Sequence, residues 1–231
     1  MTETFSLIDA DSRADLLTYL QRAHRVDAEG SARLIGQGDV LAVYTGFLYP
    51  AGLLDSAPTV LALRTFRLSD GGGPIDAVVP LTALIGALAG PDGTRNADSA
   101  SPAPPRVELP RDRARSAWAG VAPPRGGWEP AGDVACDLLR EVAKAGIEEV
   151  AATVPSGIRE QLIHHVRSVV WGRPCPGRED LPAGAAFAGL SLGFLPAGGL
   201  ATVFRSGAWS RVTTRAGHVL VKDARPTAGP A

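Results

Sequence analysis

Cysteine, methionine and lysine are scarce in this chain, and long apolar runs and a large net charge are missing altogether. Its two cysteines, Cys136 and Cys175, cannot build a disulfide framework and share no Cys-x-x-Cys spacing. They read as free thiols of a reducing compartment. A single methionine excludes a Met-rich binding groove. A formal net charge of −1 exerts no chain-wide pull toward nucleic acid or acidic lipid. The most apolar stretches, residues 40–54 and 183–196, are broken by Gly and Pro. They fall short of the roughly 20 residues that span a bilayer, so no membrane partner is expected. Residues 1–10 carry Glu3 and Asp9 and no basic run, unlike a signal peptide. Together these features predict a cytoplasmic protein. Of 23 basic residues only Lys144 and Lys222 are lysine. With 27 glycines and 19 prolines, that is the bias of a GC-rich genome, so arginine at any one place is weak evidence that its donor fork was needed.

What is present is ample core material: 45% of the 231 residues are hydrophobic and 20% charged, the balance of an ordinary globular chain. Residues 89–106 contain no Val, Ile, Leu or aromatic side chain, so nothing there offsets the entropy of ordering. The expected organisation is α+β. It comprises an N-terminal lobe over residues 1–88, a flexible linker over 89–117, a helical lobe over 118–224 and a disordered tail over 225–231.

Within the first lobe, Asp11-Ser12-x-x-Asp15 resembles a capping box before a helix to about Val26, with Leu16, Leu20 and Ala23 as its apolar stripe. β-prone runs follow over 31–35, 40–49, 59–68 and 75–79. Short Gly- and Pro-rich connections between them favour an antiparallel meander. Pro80 suits the start of a closing helix over 81–88. In the second lobe, the prolines between Trp118 and Pro130 predict an extended strap anchored by Trp118 and Trp128. Asp133 is expected to cap a helix that Gly146 bends or splits. A second helix is expected from Ser156 to Trp171, and a third, apolar all round and therefore buried, over 183–195. The chain then closes in a β meander over 201–205, 208–214 and 218–222.

The strings WAGVAPPRGGWEP, VVWGRP, GAAFAGLSLGFLP and RSGAWSRVTTRAGHVLV resemble those of a group of uncharacterised proteins from actinobacteria. The resemblance covers mostly residues 118–222 and implies a bacterial cytosolic setting. It implies no activity, cofactor or catalytic residue.

Several motifs suggest chemistry and then fail its requirements. Gly189-Leu190-Ser191-Leu192-Gly193 matches G-x-S-x-G, but a nucleophile elbow needs a strand before the serine, with the acid preceding the histidine. Here His218 precedes Asp223, and a small-residue helix precedes Ser191. His164 and His165 are adjacent on a helix and point about 100° apart, so they do not chelate as an i, i+4 pair does. Gly36-Gln37-Gly38 and Gly71-Gly72-Gly73 read as turns, lacking the third glycine and following helix of a dinucleotide site. Glu148-Glu149 reads as a solvated helix face rather than an acid/base pair. No cofactor or metal is expected.

The remaining feature is the C-terminal meander. From Gly199 onward Arg205, Arg211, Arg215, Lys222 and Arg225 face Asp223 alone, with Trp209 and His218 among them. The candidate binding residues are accordingly Arg205, Trp209, Arg211, Arg215, His218 and Lys222. Three helices before a basic hairpin have the outline of a winged helix, but a recognition helix presents polar side chains to bases, and residues 183–195 offer only Ser191. The Gly-x-Trp-x-Arg-Val pattern also resembles the hairpin of bacterial SH3-like modules, without room for a barrel. No assembled catalytic constellation is visible. The sequence therefore reads as a non-catalytic cytosolic binding or regulatory protein acting through a protein partner. The alternatives are nucleic-acid binding through the basic meander, and a small-molecule enzyme with a cleft between the lobes where His218, Arg211 or His165 acts.

Overall fold

Asp9, two residues before the expected cap, starts the first helix: its side chain accepts from the Ser12 N–H at 2.7 Å. The computed structural model describes residues 3–50, 52, 55–69, 74–90, 105–153 and 160–223, with the side chains of 160–164 outside the description. The chain is α+β, as its patterning predicts. It forms two compact units, Met1–Thr45 with Leu63–Ala119, and Gly46–Ala62 with Gly120–Ala231.

In the first unit, β1 (Thr4–Ser6) leads to α1 (Ala10–Val26), β2 (Ser31–Gln37), β3 (Val40–Leu48), β4 (Thr59–Arg67), β5 (Ile75–Pro80) and α2 (Leu81–Ala89). The ends of β3 and β4 that adjoin their connection belong to the second unit. Strand β2 pairs antiparallel with both β3 and β5. Alternation puts Ala32, Leu34, Leu41, Val43, Ala77 and Val79 on the buried face. Helix α1 buries Leu16, Tyr19, Leu20 and Ala23. The Tyr19 hydroxyl lies 2.9 Å from the Thr45 hydroxyl, which satisfies a phenol that the core would otherwise penalise.

Of the expected flexible linker, residues 91–104 lie outside the described residues. Its remainder is built into the first unit. Residues Arg106–Glu108 form β6, antiparallel to β1. Val107 and Leu109 are buried, Arg113 pairs with Glu3 at 2.6 Å, and the Ala114 N–H donates to the Val78 carbonyl at 2.9 Å. Two apolar side chains and a strand partner supply what composition alone does not reveal. Trp118, buried here in a 3-10 turn over Ala117–Gly120, replaces the start of the extended strap.

The second unit contains β7 (Glu129–Ala135), α3 (Cys136–Thr153), α4 (Glu160–Gly172), β8 (Pro174–Cys175), β9 (Arg178–Pro182), α5 (Ala183–Leu192), β10 (Leu200–Ser206), β11 (Trp209–Thr214) and β12 (Gly217–Lys222). Strands β12, β11, β10 and β7 follow one another antiparallel. The meander forms as expected. Asp133, however, lies inside β7, and the helix begins at Cys136. With Pro130 and Gly132 in it, β7 does not show a strand's composition; pairing with β10 creates it. Gly146 neither bends nor splits α3. It is a point of close approach, where an added Cβ would stand 2.4 Å from the Trp171 ring. Ser156 and Ile158, expected in the second helix, lie outside the described residues. Helix α5 is buried on nearly every side, as its apolar composition predicts, and ends at Gly193 with φ 72°. Among the described residues no helix is long and apolar enough to cross a membrane.

Candidate functional site

Strand register decides which of the candidate residues meet. Partners across an antiparallel pair share a face, as do residues i and i+2. Phe204, Arg211 and Leu220 therefore form one row across β10, β11 and β12. Thr202, Thr213 and His218 form the next, and Ser206, Trp209 and Lys222 a third. Asp133 of β7 stands opposite Thr202, and Ala135 opposite Leu200, so both extend this face. The reverse face carries Ala201, Val203, Ser210, Val212, Val219 and Val221, all buried. The Thr214 hydroxyl on that side donates to the Phe194 carbonyl just after α5, at 2.7 Å.

Four candidates, Trp209, Arg211, His218 and Lys222, thus share the first face. Arg205 does not. Its register partner is Ser210 of the reverse face, and its guanidinium bonds the Asp180 carboxylate at 2.8 Å. Asp223 lies 4.0 Å away from it. Arg215 sits in the β11–β12 turn, exposed. Arg225 lies outside the described residues.

The centre of the face is Arg211. Its guanidinium carbon is 4.6 Å from the Trp128 ring centroid and 4.7 Å from that of Phe204. A cation over two aromatic rings is attracted by both quadrupoles. Its Nε is buried with no acceptor, and burial lowers the pKa of the group. Trp128 is held in turn by its indole N–H, which donates to the Pro124 carbonyl at 3.1 Å. Beside this stack, His218 Nδ1 lies 3.1 Å from the Thr213 hydroxyl. Leu200, at the far end of the face, is 67% exposed.

Burial, and then the positive charge of Arg211, lower the pKa of His218 from its ordinary 6.5. The unfolded chain therefore takes up the proton first, and stability falls as pH drops below the unfolded value. Melting temperature is expected to decline from pH 7 to pH 5, and His218→Gln to flatten that decline. Equal slopes for the two proteins would show that His218 titrates alike in both states.

The other motifs take structural places. Ser191 lies within α5, not on a strand-to-helix turn. Gly189 packs there against Leu195, whose carbons an added Cβ would approach to 3.0 Å. His165 is exposed on α4, and the side chain of His164 is outside the description. Gly38 turns β2 into β3 with φ 61°, and residues 71–73 lie outside the described residues. Glu149 is paired with Arg173 at 2.8 Å. Among the described residues no three His, Cys, Asp or Glu side chains converge as a metal site. Sequence reading missed Trp128, Phe204 and Asp180. The alternation Thr202-x-Phe204 could have placed Phe204 on this face, but no local pattern ties Trp128 or Asp180 to the meander.

Two family models match the chain, both for domains of unknown function: DUF8010 over residues 1–108 and DUF8185 over residues 123–226. No curated protein matches. Among solved structures, the chain is similar to the DNA polymerase III subunit beta from Pseudomonas aeruginosa, at 12% identity and a TM-score of 0.47, over 100% of this chain and 66% of that one. A DNA polymerase sliding clamp from Caulobacter crescentus is similar at 15% identity and a TM-score of 0.45, over 99% of this chain and 67% of that one. The DNA polymerase III beta subunit from Thermotoga maritima is similar at 12% identity and 0.45, over 97% and 65%. The chain thus spans just under two thirds of the length of the first of these.

Proposed function

We propose that this chain is a non-catalytic cytoplasmic binding protein that takes a protein partner on the meander face around Arg211. The observation that carries the reading is the Arg211 guanidinium, which lies over the Trp128 and Phe204 rings with no hydrogen bond or ion pair among the described residues. Such an arginine, with the Phe204 ring beside it and the exposed Leu200 further along the same face, has the composition of an interface hot spot. The buried, unpaired thiols Cys136 and Cys175 support a reducing compartment.

Protein is favoured over nucleic acid by how the charges are arranged. Arg205 is engaged by Asp180 on the reverse face, and Asp133 extends the candidate face. The meander therefore offers one arginine with apolar neighbours rather than the row of free cations that tracks phosphates. The test is affinity capture of the tagged chain from its native lysate, with and without nuclease, beside Arg211→Glu and Leu200→Asp variants. A stoichiometric protein that survives nuclease and is lost from both folded variants is expected. Recovery that needs intact nucleic acid, or a partner indifferent to both substitutions, would overturn the reading.

A further inference from the structure

We infer that the group Arg211 receives is a carboxylate, carried by an acidic side chain of a peptide segment with apolar neighbours; this rests on the partner-binding reading above. The N–H donors of a guanidinium seek oxygen or nitrogen acceptors. The Arg211 guanidinium carbon lies over the Trp128 and Phe204 rings, and these contacts give none of its donors such an acceptor.

Three other half-buried arginines, Arg33, Arg178 and Arg205, spend their donors. Arg33 forks onto Asp76 at 3.0 and 2.9 Å. Arg178 bonds Asp180 and the Ala131 carbonyl at 2.7 and 2.6 Å. Arg205 bonds Asp180. Arg211 has two ring contacts instead, yet none of its donors has an acceptor among the described residues, and Nε is sealed from water. A charged donor set already partly desolvated is a receptor for an oxyanion, because part of the usual desolvation cost is already met.

The surroundings select among oxyanions. Lys222 at one end of the face is balanced by Asp133 at the other, and His218 between them has its pKa lowered toward the neutral form. A phosphate bearing close to two charges draws on several cations, and one guanidinium matches a carboxylate. The Thr202 and Thr213 hydroxyls in the adjoining row can donate to a second oxygen or a peptide carbonyl. Phe204 and the exposed Leu200 offer apolar contact to the neighbouring residues of that segment.

The experiment selects binders to the full chain from a random peptide library, followed by titration of the tightest synthetic peptide. The expected peptide carries Asp or Glu beside apolar residues. Amidating that residue, or Arg211→Gln, is expected to weaken binding on the order of tenfold or more, and the two changes together no further than either alone. Peptides lacking a carboxylate, or losses that simply add, would overturn the carboxylate assignment; if Leu200→Asp still abolishes such binding, the partner-binding reading stands without it. Peptides indifferent to both Arg211→Gln and Leu200→Asp, or no enrichment at all, would overturn both. Competition by a DNA duplex that depends on Arg211 would also overturn the assignment, in favour of phosphate.

Discussion

Gly146→Ala is expected to destabilise the second unit by about 2–3 kcal/mol, although alanine is the better helix former by about 1 kcal/mol. The reason is packing between α3 and α4. An alanine Cβ at this position would stand 2.4 and 2.6 Å from two carbons of the Trp171 ring. That ring cannot swing aside cheaply, being 2% exposed and stacked on Phe187 at 4.2 Å between centroids. Phe47 meets Phe187 edge-on at 6.1 Å, which confines the second ring as well. Trp171→Ala alone should cost about 3–5 kcal/mol through the void it leaves. In that background Gly146→Ala is expected to become neutral or mildly stabilising, because the two changes share one contact and cannot add. Urea denaturation of the four proteins reads the cycle. Stabilisation by Gly146→Ala in the otherwise unchanged protein would mean that α3 and α4 do not approach at this glycine.

Arg178→Ala is the second large effect expected, at about 2–3 kcal/mol, with self-association as its companion. Arg178 is 16% exposed and pairs with Asp180 at 2.7 Å. It also donates to the Ala131 carbonyl at 2.6 Å and the Asp133 carbonyl at 3.4 Å. Both carbonyls belong to β7, the last strand of its sheet, whose outer edge would otherwise present free hydrogen-bonding groups to another chain. Removing the cap strips those acceptors and one ligand of Asp180 at once. Sedimentation at rising protein concentration should then show more association than the parent protein. A variant that associates no more than the parent, at full stability, would show that the β8–β9 hairpin does not guard this edge.

The same substitution alters acid sensitivity. Burial would raise the Asp180 carboxyl, but hydrogen bonds from Arg178 and Arg205, together with their charges, hold it below the ordinary 3.8. Its contribution to stability is therefore complete above the unfolded pKa and lost as pH falls through the folded one. In Arg178→Ala that acid-induced loss should be smaller.

Much of the fold was legible because its signals are local. Helix α1 follows from an apolar stripe at helical spacing, although its cap is Asp9 rather than Asp11, and α2 from Pro80 at its start. The burial of α5 follows from a helix with no polar face. The meander follows from β-prone runs separated by Ser206-Gly207 and Ala216-Gly217, short turns that allow only antiparallel return. The misread elements lack such signals. Strand β7 contains Pro130 and Gly132, and is a strand because β10 offers it a ladder. β6 sits in a segment poor in apolar residues, yet Val107 and Leu109 suffice once β1 lies beside them. Gly146 reads as a helix breaker by propensity and serves as a contact surface.

The candidate site divides the same way. Sequence by itself determined that a basic, aromatic meander would present alternating faces, and hence that Trp209, Arg211, His218 and Lys222 fall on one side once the turns set the register. Tertiary structure decided which of its arginines keep an unspent charge. Asp180, distant in the chain, reaches Arg205 and neutralises it, while Trp128 closes over Arg211 without offering an acceptor. Alternation is a property of neighbouring peptide units and is written in every short window. The pairing of Arg205 with Asp180 is a property of side chains brought together by the fold, and no short window of the sequence contains both partners.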